Sequence, residues 1–162
     1  MDALVAEACR KSDVLWISLP GLPQPRAAWH VWFDGAAYLV SGDGEQELPG
    51  LEAAETVEVT VRSKDKGARL VRWLARVSRI EPRTESWDAA VRELVAKRLN
   101  LRDAGRVRER WAGECLVTRL EPTGELLERP GAMSDESHAA EPLPSPATTV
   151  GRLPFVLGRR RS

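Results

Sequence analysis

The chain is 162 residues long, 43% hydrophobic and 30% charged, enough for one domain with a real core and an argument against a second. Its 24 basic residues balance its 24 acidic ones, so net charge steers it neither to nucleic acid nor to an anionic membrane. No apolar run approaches the ~18 residues of a membrane span, and the N-terminus lacks the basic start and apolar stretch of a secretory signal, so a cytoplasmic location is expected.

Leu4, Val5, Ala8 and Cys9 fall at helical spacing, which predicts a short amphipathic helix over 3–10 that Lys11, Ser12 and Asp13 end. Residues 14–20 read as a strand, apolar on both faces except for Ser18, and therefore as central and buried. Pro20, Gly21, Pro23 and Pro25 then make a rigid turn. Residues 26–33 and 36–41 form two strands joined by Asp34-Gly35, the strongest short hairpin signal in the chain. Alternation puts Ala28, His30 and Trp32 on one face of the first of these, with Trp29, Val31 and Phe33 on the other, so that both faces are covered.

The loop 42–54 is acidic, with a single helical turn expected at 49–54. Residues 56–62 make a one-sided strand with Val57, Val59 and Val61 inward. A positively charged turn at 63–67 leads to a long fifth strand over 69–80, rich in β-branched and aromatic residues. Its arginines at 69, 72, 76 and 79 would also suit one stripe of a helix, which is the competing reading. From 85 to 101 the period changes to 3.6, with Trp87, Ala90, Val91, Leu94, Val95 and Leu99 on one stripe and Lys97, Arg98 and Arg102 at its end. A helical turn over 106–110 and a sixth strand over 111–120 follow. After Leu120 the composition shifts, because six of the eleven prolines lie in the last segment. The chain thus divides into a domain at 1–121 and a Pro-rich tail at 122–162, whose apolar patch at 151–157 is either docked on its own subunit or a partner, or loosely attached.

The usual catalytic signatures are missing: there is no GxSxG, HExxH or Walker loop, and Ser63-Lys-Asp-Lys66 matches SxxK only in a turn. Cys9 and Cys115 form no metal or dithiol pair and read as small buried hydrophobes, so no metal is expected. His30, between two tryptophans, reads either as a hydrogen-bonding group or base facing a flat ligand with Trp32, or as a satisfied core histidine. His138 falls in the tail. Lys64, Lys66 and Arg69, with Arg72 and Arg76 beyond, make either a phosphate or carboxylate cradle or a solvated turn with edge charges. The tryptophans at 16, 73, 87 and 111 read as core.

This order of elements resembles the FMN-binding split-barrel superfamily, with Asp13-Val-Leu-Trp-Ile-Ser18, Trp29-His-Val-Trp-Phe-Asp-Gly-Ala-Ala-Tyr-Leu-Val-Ser41 and Arg69-Leu-Val-Arg-Trp-Leu-Ala-Arg-Val77 carrying the likeness. The group includes pyridoxamine 5'-phosphate oxidase-like proteins and the flavin- and deazaflavin-dependent reductases of actinobacteria. The likeness covers about residues 1–121 and includes no diagnostic motif. It implies a mainly β fold with helices, a six-stranded split β-barrel with a long helix between strands five and six. It also implies a homodimer with two cofactor sites at the subunit interface, each taking FMN or a deazaflavin coenzyme for oxidoreductase chemistry. By position, Arg26, Ala28, His30 and Trp32 would face the isoalloxazine and Ser41 would sit near the phosphate.

Where such proteins carry basic residues after the third strand, this chain has Gly42-Asp-Gly-Glu-Gln-Glu47. Asp43, Glu45 and Glu47 would repel a phosphate. Either the anchor passes to Lys64, Lys66 and Arg69, or the scaffold has lost its flavin and serves as a non-catalytic dimeric protein that binds another ligand or a partner. A further expectation is haem held by His30, since some split barrels bind haem.

Overall fold

The computed structural model describes residues 3–98, 101 and 103–131; Leu99, Arg102, His138 and the 151–157 patch lie outside them. In chain order the elements are α1 (Ala3–Lys11), β1 (Val14–Ser18), β2 (Arg26–Trp29), β3 (Val31–Phe33), β4 (Ala36–Gly42), a 3-10 turn (Leu51–Ala53), β5 (Thr56–Arg62), β6 (Arg69–Ile80), α2 (Glu85–Lys97), α3 (Val107–Glu114) and β7 (Cys115–Glu128). All the strand pairs are antiparallel, in the order β2-β1-β5-β6-β7-β4-β3. The two strands at the ends of that order, β2 and β3, are consecutive in the chain and separated only by His30. The sheet therefore curls round until one segment forms both of its edges, as a split barrel requires.

This break makes the strand count seven rather than the expected six. Residues 26–29 pair with β1, with Ala28 opposite Leu15, whereas 31–33 pair with β4, with Val31 opposite Tyr38. At the change-over the His30 N–H donates to the Asp13 carbonyl at 3.4 Å. The Gln46 side-chain amide spans the gap: its oxygen accepts from the Trp29 N–H at 2.9 Å, and its nitrogen donates to the carbonyls of Trp29 and Val40 at 3.0 Å each. A side chain thus takes the place of strand backbone at the split. Asp34 and Gly35 both have positive φ (46° and 71°), the primed-turn geometry that the Asp-Gly pair predicts.

Alternation sorts the core into two clusters. The inside of the curl holds Leu15, Ile17, Val59, Val61, Val71 and Trp73, with Val5, Ala8 and Cys9 of α1 packed into it. On the outside of β4 and β7, Trp87, Ala90, Val91 and Leu94 of α2 and Trp111 of α3 cover Tyr38, Val40 and Val117. The α2 N-terminus is capped by Thr84, whose hydroxyl accepts from the Trp87 N–H at 3.2 Å.

Other details also differ from the sequence reading, and β1 ends at Ser18 rather than at 20. Residues 111–114 belong to α3 rather than to a strand, because Trp111 is drawn into the helical cluster. β7 runs past residue 121 through Pro122 to Glu128, with the register irregularity beside Trp73 and Ala75 accommodating the proline. Finally, β1 is central but is covered on one face only, since Trp16 and Ser18 are half-buried and Val14 is 38% exposed. No described helix is long and apolar enough to cross a membrane.

Candidate functional site

The outward face of β1, β5 and β6 carries a cleft of about 540 Å³. Because β5 alternates strictly, Val57, Val59 and Val61 enter the core while Glu58, Thr60 and Arg62 point out. Trp16 and Ser18 reach the same face from β1, and Pro23, Gln24 and Pro25 wall one side. Arg69 and Arg72, three residues apart, would occupy opposite faces of a regular strand. A bulge intervenes: Val61 pairs with Val71 and Arg62 with Arg69, so Leu70 is the extra residue. It re-aims Arg69 outward, and three arginines then line one cleft.

The electrostatics are unbalanced. The Arg62 guanidinium lies 4.9 Å from the centroid of the Trp16 ring, a cation–π contact. Arg69 is already paired with the buried Glu128 carboxylate at 3.1 Å. Arg72 approaches Glu58 no closer than 3.7 Å. The Nε atoms of Arg62 and Arg72 are both buried and without a hydrogen-bond partner. Three arginines against the single carboxylate of Glu58 give the cleft lining an excess of positive charge, which suits an anion. Its volume lies in the range of small-molecule sites.

Of the four residues expected to face a ring, Ala28 and His30 are buried in the core, Trp32 is half-buried against it and Arg26 is exposed. Arg26 is exposed at the start of β2, but Ala28 is 2% exposed and packs in the barrel interior opposite Leu15. Trp32 packs against the same cluster, edge-on to Trp73 with ring centroids 6.3 Å apart. His30 is fully buried, with Nε2 donating to the Cys9 carbonyl at 3.0 Å. Of its two readings this is the core one rather than that of a base facing a ligand: burial, aided by the Lys97 charge, lowers its pKa to about 4. The same contacts exclude His30 as a haem ligand, since Nε2 is occupied and the ring is sealed in. Among the described residues no cluster of His, Cys, Asp and Glu could hold a metal ion.

Because the folded pKa of His30 lies below its unfolded value near 6.5, its contribution to stability is complete above pH 6.5 and is lost as pH falls toward 4. Urea titrations should show roughly 2 kcal/mol lost from this group between pH 7.5 and 5. A His30→Gln variant should lack that slope, and an unchanged slope would contradict the assignment.

Ser41 is buried in β4 and borders a different depression, with Glu47 and Glu52. Lys64 is paired with Asp13 at 2.5 Å, and Lys66 is exposed in its turn. Of the proposed anchor only Arg69 reaches the cleft, joined by Arg72, by Arg62, to which the sequence reading assigns no binding role, and by Trp16, which it places in the core. The outward register of Arg62 on β5 was the available signal.

The acidic loop also reads differently once folded. The Glu45 side chain is 1% exposed; it accepts from Arg98 Nε at 3.1 Å, Arg110 Nη2 at 2.9 Å and Trp111 Nε1 at 3.1 Å. It points into the protein and is neutralised. Arg110 in turn pairs with Asp103 at 2.7 Å. The cavity beside this network shares no lining residue with the arginine cleft.

No family model and no curated protein matches the chain. Solved structures do. HutZ, the haem storage protein of Vibrio cholerae, is 15% identical with a TM-score of 0.55, over 75% of this chain and 89% of that one. A conserved hypothetical protein of Mycobacterium tuberculosis is also 15% identical at 0.55, over 76% and 81%. A Listeria innocua protein described as a pyridoxamine 5'-phosphate oxidase is 14% identical at 0.51, over 76% and 94%. The fold is the split barrel shared by pyridoxamine 5'-phosphate oxidase-like and haem-binding proteins.

Proposed function

We propose that this chain binds a flat, phosphate-bearing cofactor of the flavin or deazaflavin class in the β1–β5–β6 cleft, as a member of a homodimer. The observation that carries this reading is the convergence of Arg62, Arg69 and Arg72 on one cleft, with the Arg62 guanidinium over the Trp16 ring. Arginine suits a phosphate because its planar fork donates two parallel hydrogen bonds. Arg62 and Arg72 would hold the phosphate, with Arg69 and Glu128 buttressing them, and Trp16 with Thr60 would support the ring.

When bound, the isoalloxazine would supply hydride or electron transfer. The cleft lining contains no histidine or cysteine, so the chain's own part is to bind, orient and shield. A second copy of the chain over this open face, where Val14 is exposed, would complete the enclosure. The haem alternative loses its ligand with the burial of His30.

The test is the visible spectrum of freshly purified protein, followed by thermal shift with FMN, a deazaflavin coenzyme and riboflavin. FMN or the deazaflavin at about 100 times its Kd should raise the Tm by about 5–10 °C. Riboflavin, lacking the phosphate, should act much more weakly. No flavin absorbance together with no shift would end the proposal.

A further inference from the structure

We propose that the cleft is directional, with a phosphate end at Arg62 and a separate subsite at Glu58 that accepts a hydrogen bond from an N–H on the far edge of the ligand's ring. The inference rests on the cofactor reading above and goes on to name the chemistry of the ligand at both ends.

Strand pairing lays out the floor of the cleft in rows. Arg69 lies beside Arg62; Arg72, Thr60 and Trp16 form the next row; Glu58 and Ser18 form the last. Glu58 and Arg62 are four residues apart on β5, hence roughly 13 Å along the strand. The charge changes sign over that distance. Glu58 is the one carboxylate among the residues lining the cavity. Its side chain is 44% exposed and forms an ion pair with Arg72 at 3.7 Å, too long for a hydrogen bond, so its oxygens keep room to accept one.

An ionised carboxylate accepts hydrogen bonds and donates none. It therefore favours an N–H edge and disfavours an anion. Inorganic phosphate would gain the arginines but meet this charge nearby. A phosphate ester of a flat heterocycle, with an imide or amide N–H at its opposite edge, matches both ends of the cleft at once.

Isothermal titration of the full chain with FMN, FMN methylated at its ring N–H, and inorganic phosphate tests the assignment. Glu58→Ala should weaken FMN about tenfold, the loss of one charge-assisted hydrogen bond. It should tighten inorganic phosphate about threefold, since a like charge is removed. Methylated FMN should bind the unaltered protein about as weakly as FMN binds E58A, and should be indifferent to the substitution. Glu58→Gln, nearly isosteric, should reproduce the gain for phosphate with a smaller loss for FMN, which separates charge from folding.

Should FMN and phosphate shift in the same direction, or should methylated FMN bind as well as FMN, the directional reading falls while the cofactor reading stands. If the unaltered protein binds none of the three, both fall.

Discussion

Replacing Glu45 by alanine should lower the free energy of unfolding by about 3 kcal/mol in urea denaturation. The side chain is 1% exposed and is the common acceptor for Arg98, Arg110 and the indole N–H of Trp111. Removing it takes a shared acceptor from both guanidinium groups, although Arg110 keeps Asp103, and leaves the fully buried indole nitrogen without its acceptor. Breaking a buried pair costs about 3–5 kcal/mol, and the low end applies because the arginines are 29% and 23% exposed and can turn toward water. Glu47→Ala, two residues along on an exposed side chain, should stay within about 0.5 kcal/mol. Equal effects at the two positions would refute the view of this loop as a structural latch.

The largest effect on binding belongs to Arg62 and Arg72. The double substitution to methionine keeps aliphatic bulk over Trp16 and removes both guanidinium groups, the one over the ring and the one beside Glu58. FMN affinity should drop at least about 100-fold, since each charge-assisted contact contributes about 1.5–3 kcal/mol. Riboflavin affinity should change by less than about threefold over the same substitutions, because it carries no phosphate to lose. Lys64→Ala and Lys66→Ala should leave FMN within about twofold, since Lys64 is held by Asp13 and both are exposed outside the cleft lining. A loss at the lysines matching that at the arginines would move the anchor back to the turn.

Local patterns were legible where one rule governed. Val57, Val59 and Val61 alternate and do line the core; Asp34-Gly35 makes the primed turn; the stripe from Trp87 to Leu94 makes the helix. The strand at 69–80 was also readable, because β-branched residues outweighed the arginine spacing. What escaped were features decided by distant partners. Whether Glu45 repels a ligand or is neutralised depends on Arg98 and Arg110, 53 and 65 residues away. Arg69 faces outward only because one extra residue, Leu70, shifts the register of a strand, and no period-2 count contains that shift. His30 is sealed because the strand changes partners at that point, so alternation assigned it a face that the topology then closed. Aromatic richness drew attention to the hairpin, yet Trp32 packs against the core, and the cleft lined by arginines lies on β5 and β6.

The gap bridged by Gln46 has a consequence for colloidal behaviour. Open sheet edges recruit strands from neighbouring molecules, and natural sheets blunt or cover them. In this curled sheet the vulnerable place is the short interval at Trp29 where one partner strand has ended and the next has not begun. There the Gln46 amide occupies both the N–H and the C=O of Trp29. A glutamate at this position, whether from mutation or from slow hydrolysis of the amide in storage, would set negative oxygen against the carbonyls of Trp29 and Val40. The Trp29 N–H would keep an acceptor, but the two carbonyls would lose their donor and stand open to N–H groups of other chains.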